Sequence, residues 1–396
     1  MKIVDIAIVG GGMVGLAVAV GLKQSGLKVA LIAQEDPSHL TPSAPLRVSA
    51  LNMASERFLR QLGAWQNISR KQAYDRMQVW EQDSFAHLEM QAGMVLQPHL
   101  GHIVDNQAVI AALWQQLAGS EVTVIAPSTL TQCVRGDQGT LLQLTGEQQL
   151  LASWVIAADG AHSALRHHFD FPMSSWDYGH TAVVATVTTG EPHQSCARQI
   201  FTPDGPLAFL PLWMPNLCSV VWSVRPERAA ELLAAPATQF AHQLTAAFDS
   251  RLGPVELQGE RAAFTLQARY AREVVKEGCI LVGDAAHTIH PLAGQGVNLG
   301  LMDAAALLET ILTLQQQGRL ARSTQVFDRY ARWRKSEALQ MLALMEGFKH
   351  LFAGAAPWQK LLRGLALQGA DAMAPVKQAC IRRAMGLTGE LPNLVR

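Results

Sequence analysis

The run Gly10-Gly11-Gly12-Met13-Val14-Gly15 follows directly on an apolar, β-branched stretch from Ile3 to Val9. After it come a helical pattern from Leu16 to Gln24 and a second apolar strand from Lys28 to Ile32. This places G-x-G-x-x-G at the first turn of a βαβ unit, where each glycine has a physical task. Gly10 permits the tight turn, Gly12 lets backbone amides approach a pyrophosphate, and Gly15 lets helix and strand pack closely. The start of the helix adds unpaired N–H groups and a partial positive charge, so the ligand expected here is a dinucleotide. The acid that ordinarily closes the second strand and holds the adenosine ribose is absent, because Ala33 stands at that place and Glu35 comes two residues later. Either Glu35 reaches back through an altered turn, or backbone groups and another side chain hold the ribose.

Two further segments repeat the arrangement of a buried strand running into an acidic turn. Trp154 to Ala158 leads into Asp159-Gly160, with Ser163-x-x-Arg166 opening a helix. Taken alone, that segment is also explained by Ser163 as an ordinary N-cap. Cys279 to Gly283 leads into Asp284-Ala285-Ala286-His287, and Pro291-Leu292-Ala293-Gly294-Gln295-Gly296-Val297-Asn298 then opens a long helix from about Leu299 to Gln316. An acid at a strand end can bind a sugar hydroxyl, and a glycine-rich helix start can hold an electron-rich group.

Together these segments resemble the FAD fingerprints of the single-component flavin aromatic hydroxylases, which have the para-hydroxybenzoate hydroxylase fold. The string from Gly283 to Gly300 further resembles the signature of the ubiquinone-biosynthesis hydroxylases, and the likeness extends over the whole chain, through Leu46 to Asn52, Val79 to Phe85 and His99 to Asn106. The resemblance implies an α/β (α+β) protein with a Rossmann-like FAD domain, an inserted mostly antiparallel sheet and C-terminal helices. In that scheme 1–73, 100–173 and 269–345 form the FAD-binding domain, 74–99 and 174–268 the substrate domain, and 346–396 a helical end.

The same resemblance assigns roles by position. Gly10, Gly12 and Gly15 would surround the pyrophosphate, and Arg47 would lie near the FAD. Asp159 and Gly160 would serve both FAD and NAD(P)H, and Asp284 would bind the ribityl chain. Pro291, Gly294, Gln295, Gly296, Val297 and Asn298 would line the isoalloxazine. The implied reaction is hydroxylation of a 2-polyprenylphenol with NAD(P)H and O2 through a flavin C4a-hydroperoxide. No residue stands out as the base that activates the phenol. His287 and His290 form an H-x-x-H pair, but they lie inside the fingerprint and lack a third ligand, so no metal is expected.

Between the second and third fingerprints, the runs 181–188, 199–201, 207–212 and 218–224 read as strands, with a helix from about Glu227 to Asp249 and edge strands between Met77 and Met90. Phe209, Trp213 and Trp222 are read as core rather than pocket. At the C-terminal end, Ser323 to Ala353, Trp358 to Met373 and Val376 to Met385 read as helices. From Met345 on, seven Lys and Arg against three Asp and Glu leave a local charge of +4. That end either caps the FAD domain, the favoured reading, or rests on a lipid surface or on another ubiquinone-biosynthesis protein.

Composition excludes several alternatives. Hydrophobic residues make up 49% and charged residues 16%, which is too apolar for a disordered chain. Lys plus Arg equals Asp plus Glu at 32 each, so no overall field draws in nucleic acid. The five scattered cysteines contain no C-x-x-C pair and fit reduced thiols in a cytoplasmic protein, with any membrane contact peripheral. A flavin halogenase would carry W-x-W-x-I-P, which is missing, and a disulfide reductase would carry a cysteine pair near the first fingerprint. A prenyl reductase of the same fold is a further enzymatic rival, and the alternatives that stand are a hydroxylase of another ring position in the same pathway and a non-catalytic FAD-binding subunit of a biosynthetic complex. A homo-oligomer is compatible with all of these readings.

Overall fold

The computed structural model describes residues 1–36, 47–82, 84, 87–288, 295–320, 323–352 and 373–396. Strands and helices are numbered in chain order. The first sheet runs β17 (Val275–Lys276), β18 (Cys279–Leu281), β11 (Gln149–Ala157), β1 (Lys2–Val9), β2 (Val29–Ile32) and β8 (Thr123–Ile125). From β18 to β8 every pairing is parallel. A hairpin of β9 (Leu130–Gly136) and β10 (Gly139–Leu144) pairs with the first half of β11, residues 149–152, on the edge whose second half pairs with β18.

A parallel sheet is covered on both faces, and its central strands are accordingly apolar without alternation. Ile6, Ala7, Ile8, Val155, Ile156 and Ile280 are fully buried. Helix α1 (Met13–Leu22) contains no charged residue and packs against α7 (Gln295–Gln316), where a Cβ at Gly21 would fall 2.2 Å from Leu308 Cδ1. Glycine at 21 therefore sets how closely the two helices approach. Among the described residues, Gly296–Gln316 is the one helix long and apolar enough to cross a membrane, and most of it is buried inside the protein. Helix α1 begins at Met13 and α7 at Gln295, several residues before the expected starts, because Gly15 and Gly296 lie inside first turns rather than ending loops.

The second sheet runs β19 (His287–Thr288), β16 (Val255–Ala271), β12 (Met173–Thr189), β15 (Leu217–Val224), β14 (Gly205–Pro211), β13 (Cys196–Thr202), β5 (Arg76–Glu81) and β6 (His87–Gln91). Only the β13–β5 pair is parallel. Helices α5 (Pro226–Ala234) and α6 (Ala237–Ala247) cover one face. The single helix expected there breaks at Pro236, which becomes the N-cap of α6 because proline has no N–H to continue the hydrogen-bond ladder. Phe209 and Trp222 are core under these helices, and Trp213 is half-buried beneath the Arg70 guanidinium.

A small third sheet, β3 (Val48–Asn52), β7 (Gly101–Asp105) and β4 (Lys71–Tyr74), carries helices α2 (Met53–Gln61) and α3 (Asn106–Gln115). At the C-terminal end, α8 (Asp328–Phe352) and α9 (Ala374–Ala384) are helical. The third expected helix there, with Lys360 and Arg363, lies outside the described residues. Of the basic side chains, Lys377 is buried, Arg383 donates to Gln340 and Arg396 to the Leu391 carbonyl. All five cysteines are free thiols, and only Cys380 is exposed.

Candidate functional site

The register of the first sheet brings the three acidic and glycine-rich segments side by side. Val9, Ala157 and Leu281 are level neighbours on β1, β11 and β18. The turns that follow, Gly10 to Gly12, Asp159-Gly160 and Gly283-Asp284, therefore open at one carboxyl edge, the place where open α/β sheets bind ligands.

The glycines divide their work. Gly10 has φ of +123°, and a Cβ there would lie 2.1 Å from the Ala158 carbonyl oxygen. A Cβ at Gly15 would lie 2.1 Å from the Gly10 carbonyl oxygen. Both are consumed by packing. Gly12 has nothing within 4 Å of its missing Cβ, and as N-cap of α1 it offers no side chain to the first-turn amides. The space over Gly12 and the free helix start fit a pyrophosphate.

Ala33 is buried, exchanges hydrogen bonds with Ile125 and Ser128, and packs its methyl group against Gly11, where an added Cβ would come within 2.7 Å. Position 33 is thus part of the floor beneath the glycine turn. Glu35 is exposed just beyond it.

In the second segment, Asp159 Oδ2 accepts the Leu165 N–H at 3.2 Å, while Oδ1 is buried without a partner. Gly160, at φ +82°, has open space where a Cβ would stand. Ser163 caps α4 (Ala164–His168) by accepting the Arg166 N–H, as its sequence position predicts. Arg166 then donates to the Ala161 and Ala285 carbonyls, tying the second segment to the third.

In the third segment the surface of Asp284 is open to solvent, yet protein crowds around it. That crowding raises its carboxyl pKa, although the charges of His287 and Arg47 oppose the rise. Arg47 is exposed and stacks its guanidinium 4.3 Å above the Phe264 ring, linking the segment before β3 to the second sheet.

Behind Asp284 lies a buried network not anticipated from the sequence. Asp303 Oδ2 accepts the Gly283 N–H at 3.0 Å and lies 2.6 Å from His287 Nε2, while Oδ1 accepts Arg334 Nε at 2.7 Å. Asp303 was visible as the only charge in the apolar run from Gly296 to Leu308, but its partners lie on other elements. Burial raises its pKa, and His287 and Arg334 more than reverse the effect, leaving the pKa lowered.

Asn298 spends its side chain on the scaffold. Its Oδ1 accepts Asn52 N–H and Ser55 Oγ–H, and its Nδ2 donates to the Ala50 carbonyl, at 2.7–2.9 Å. It fastens the start of α7 to β3 and α2. Gly296 has open space at its missing Cβ, and Val297 is half-buried in the same first turn as Gln295. Pro291, Gly294 and His290 lie outside the described residues.

The second sheet supplies a roof. Ala262, Val184, Val221 and Ala208 stand in register across β16, β12, β15 and β14. This row alternates with the row of Val183, Trp222 and Leu207 that packs under α5 and α6, so it faces the other way. Val221 indeed packs against the cluster that includes Ala182 of β12 and Leu299 of α7. The roof is apolar, built from small side chains and mostly half-open, which suits a planar ring with an alkyl substituent.

Comparison with known proteins agrees with this geometry. The family described as "FAD binding domain" matches residues 3–344. The 3-demethoxyubiquinol 3-hydroxylase of Escherichia coli is 37% identical over 97% of this chain and 98% of its own length. The ubiquinone hydroxylase UbiL of Rhodospirillum rubrum is 34% identical, covering 100% of this chain and 93% of its own. The mitochondrial ubiquinone biosynthesis monooxygenase COQ6 of Homo sapiens is 30% identical over 94% and 91%. Among solved structures, p-nitrophenol 4-monooxygenase from Pseudomonas putida shares the fold, with TM-score 0.81 at 20% identity, covering 98% of this chain and all of that one.

Proposed function

We propose a function from one premise: the chain belongs to the FAD-binding domain family and, within it, to the ubiquinone-biosynthesis hydroxylases. It acts as an FAD-dependent monooxygenase on the aromatic ring of a polyprenylphenol. The observation that carries this reading is the meeting of Gly12, Asp159 and Asp284 at one sheet edge beneath an apolar roof.

When bound, FAD supplies electron transfer from NAD(P)H and activation of O2. The chain's own residues bind, orient and exclude water. The amides at Gly12 and the start of α1 hold the pyrophosphate, and Asp284 accepts hydrogen bonds from ribityl hydroxyls. Gln295, Gly296 and Val297 present backbone N–H groups to the flavin ring, with Asn298 fixing their position, and Pro291 and Gly294, outside the described residues, are assigned to the same ring by their place in the motif. Gly10 and Gly15 shape the turn. Asp159 and Gly160 hold the side of the cleft shared with NAD(P)H, and Arg47 closes the cleft over Phe264. Glu35 is assigned to the adenosine ribose, and replacing it by Gln should weaken FAD binding several-fold. Unchanged affinity would remove Glu35 from the site.

The substrate assigned is 2-polyprenylphenol. A second reading, a later ring intermediate, is favoured by the 37% identity to a 3-demethoxyubiquinol 3-hydroxylase. Mass-spectrometric profiling of quinone intermediates in a strain lacking this protein separates the two. Accumulated 2-polyprenylphenol supports the first assignment, and an accumulated demethoxy intermediate replaces it with the second. Unchanged intermediates would contradict both.

A further inference from the structure

Away from the cofactor site, Glu56 of α2 meets two histidines, His99 just before β7 and His102 within it. His99 Nε2 lies 2.8 Å and His102 Nδ1 3.1 Å from the same carboxylate oxygen, Glu56 Oε2. The other oxygen, Oε1, is already taken by Arg60 through Nε at 2.9 Å and Nη2 at 2.7 Å. The two imidazoles therefore share the oxygen that Arg60 leaves open. His102 Nδ1 is buried, and this 3.1 Å approach to the carboxylate is its one polar contact among the described residues. The two rings stand 4.4 Å apart at 72°.

We propose that Glu56, His99 and His102 form a zinc-binding site. The three ligand atoms lie within 4.8 Å of one another. Zinc bonds of about 2.0–2.1 Å in tetrahedral geometry would set them roughly 3.3 Å apart. The two Glu–His contacts need to open by only a few tenths of an ångström. The scaffold is fixed in advance, because Asn52 caps α2 through the Ser55 N–H and His102 pairs within β7, opposite Leu51. Arg60 on Oε1 acts as the outer partner that orients a metal-bound carboxylate. Charge selects the metal. Arg60 beside Glu56 and the Lys71 ammonium nearby disfavour calcium or magnesium, which are held by anionic oxygen, and leave a metal that bonds to imidazole nitrogen. Zinc would clamp α2 to the third sheet and leave one coordination position open.

The test uses the full FAD-loaded chain without a histidine tag. After exposure to Zn(II) and desalting, the wild type should retain one zinc per chain, gain thermal stability from it, and show two imidazole nitrogens around zinc by X-ray absorption. His99→Gln and Glu56→Gln should each weaken zinc binding at least tenfold and lose the thermal gain. His242→Gln, at an exposed histidine on α6, should behave as wild type. Equal zinc retention in the wild type and His99→Gln, or a zinc shell without imidazole, overturns the site.

Discussion

His287 Nε2 lies 2.6 Å from Asp303 Oδ2, with both side chains almost wholly buried. The same carboxylate oxygen holds the Gly283 N–H, one residue before Asp284, so a buried charge on α7 fixes the backbone that presents the acid we propose for the ribityl chain. Removing one partner of a buried charge network strands the others and costs about 3–5 kcal/mol. Asp303→Asn should lower the stability of the FAD-free chain by that order in thermal or denaturant unfolding. It should also weaken FAD binding at least tenfold at a temperature where the variant is folded. Unchanged FAD affinity would show that the network serves only the core.

Gly10 and Gly12 should respond to alanine in opposite ways. Gly10→Ala forces a Cβ to within 2.1 Å of the Ala158 carbonyl oxygen at φ +123°, so the fold should lose several kcal/mol. Gly12→Ala meets open space at φ −76°, so the melting temperature without FAD should hardly move. FAD affinity, read by fluorescence titration, should fall tenfold or more. If Gly12→Ala bound FAD normally, the pyrophosphate would not lie over Gly12.

The roof is tested at Ala208, which is half-open and faces away from α5 and α6. Ala208→Trp should fill the space expected for the phenol. FAD content should match wild type, while phenol-stimulated NAD(P)H oxidation should drop at least tenfold through a raised KM. An unaffected KM would move the ring elsewhere.

Acid should weaken the fold through two buried carboxylates. Burial raises the Glu56 pKa, but the contacts to His102, His99 and Arg60 outweigh it and hold the carboxyl well below the usual carboxylate range. Asp303 is also lowered, by His287 and Arg334 acting against burial. For a depressed pKa, the stabilisation is complete above the ordinary values of 4.5 and 3.8 and is lost as pH falls below them toward the folded-state values. The melting temperature in chelator-containing buffer should therefore fall steeply below about pH 4.5. Glu56→Gln should cost about 2 kcal/mol at neutral pH and flatten that decline. An equal slope in the variant would mean that Glu56 does not carry the effect.

Local pattern made much of this legible. The βαβ turn, the acidic strand ends and the strands of the second sheet follow from runs of β-branched residues ended by Gly and Asp, which are short-range signals. The break at Pro236 was legible too, but helical composition on both sides hid it. Long-range partners were not legible. Asp303 joins His287 to Arg334 across three elements, Asn298 reaches back to Asn52 across most of the chain, and the Glu56–His99–His102 cluster depends on α2 packing against β7. Asn298 reads from its motif as a flavin contact, and its amide also bonds Ser55 and the backbone of Asn52 and Ala50, which the motif does not show. Such roles depend on which atoms meet after folding, and spacing in sequence does not encode that.

The central claim, ring hydroxylation by the FAD-loaded chain, is tested most directly by turnover of a short-chain 2-polyprenylphenol with NAD(P)H under oxygen-18 gas. The phenol should stimulate NAD(P)H oxidation, and the product should carry a single labelled oxygen on its ring. NAD(P)H oxidation that is indifferent to the phenol, with no labelled ring product from this phenol or from a demethoxy intermediate, would contradict it.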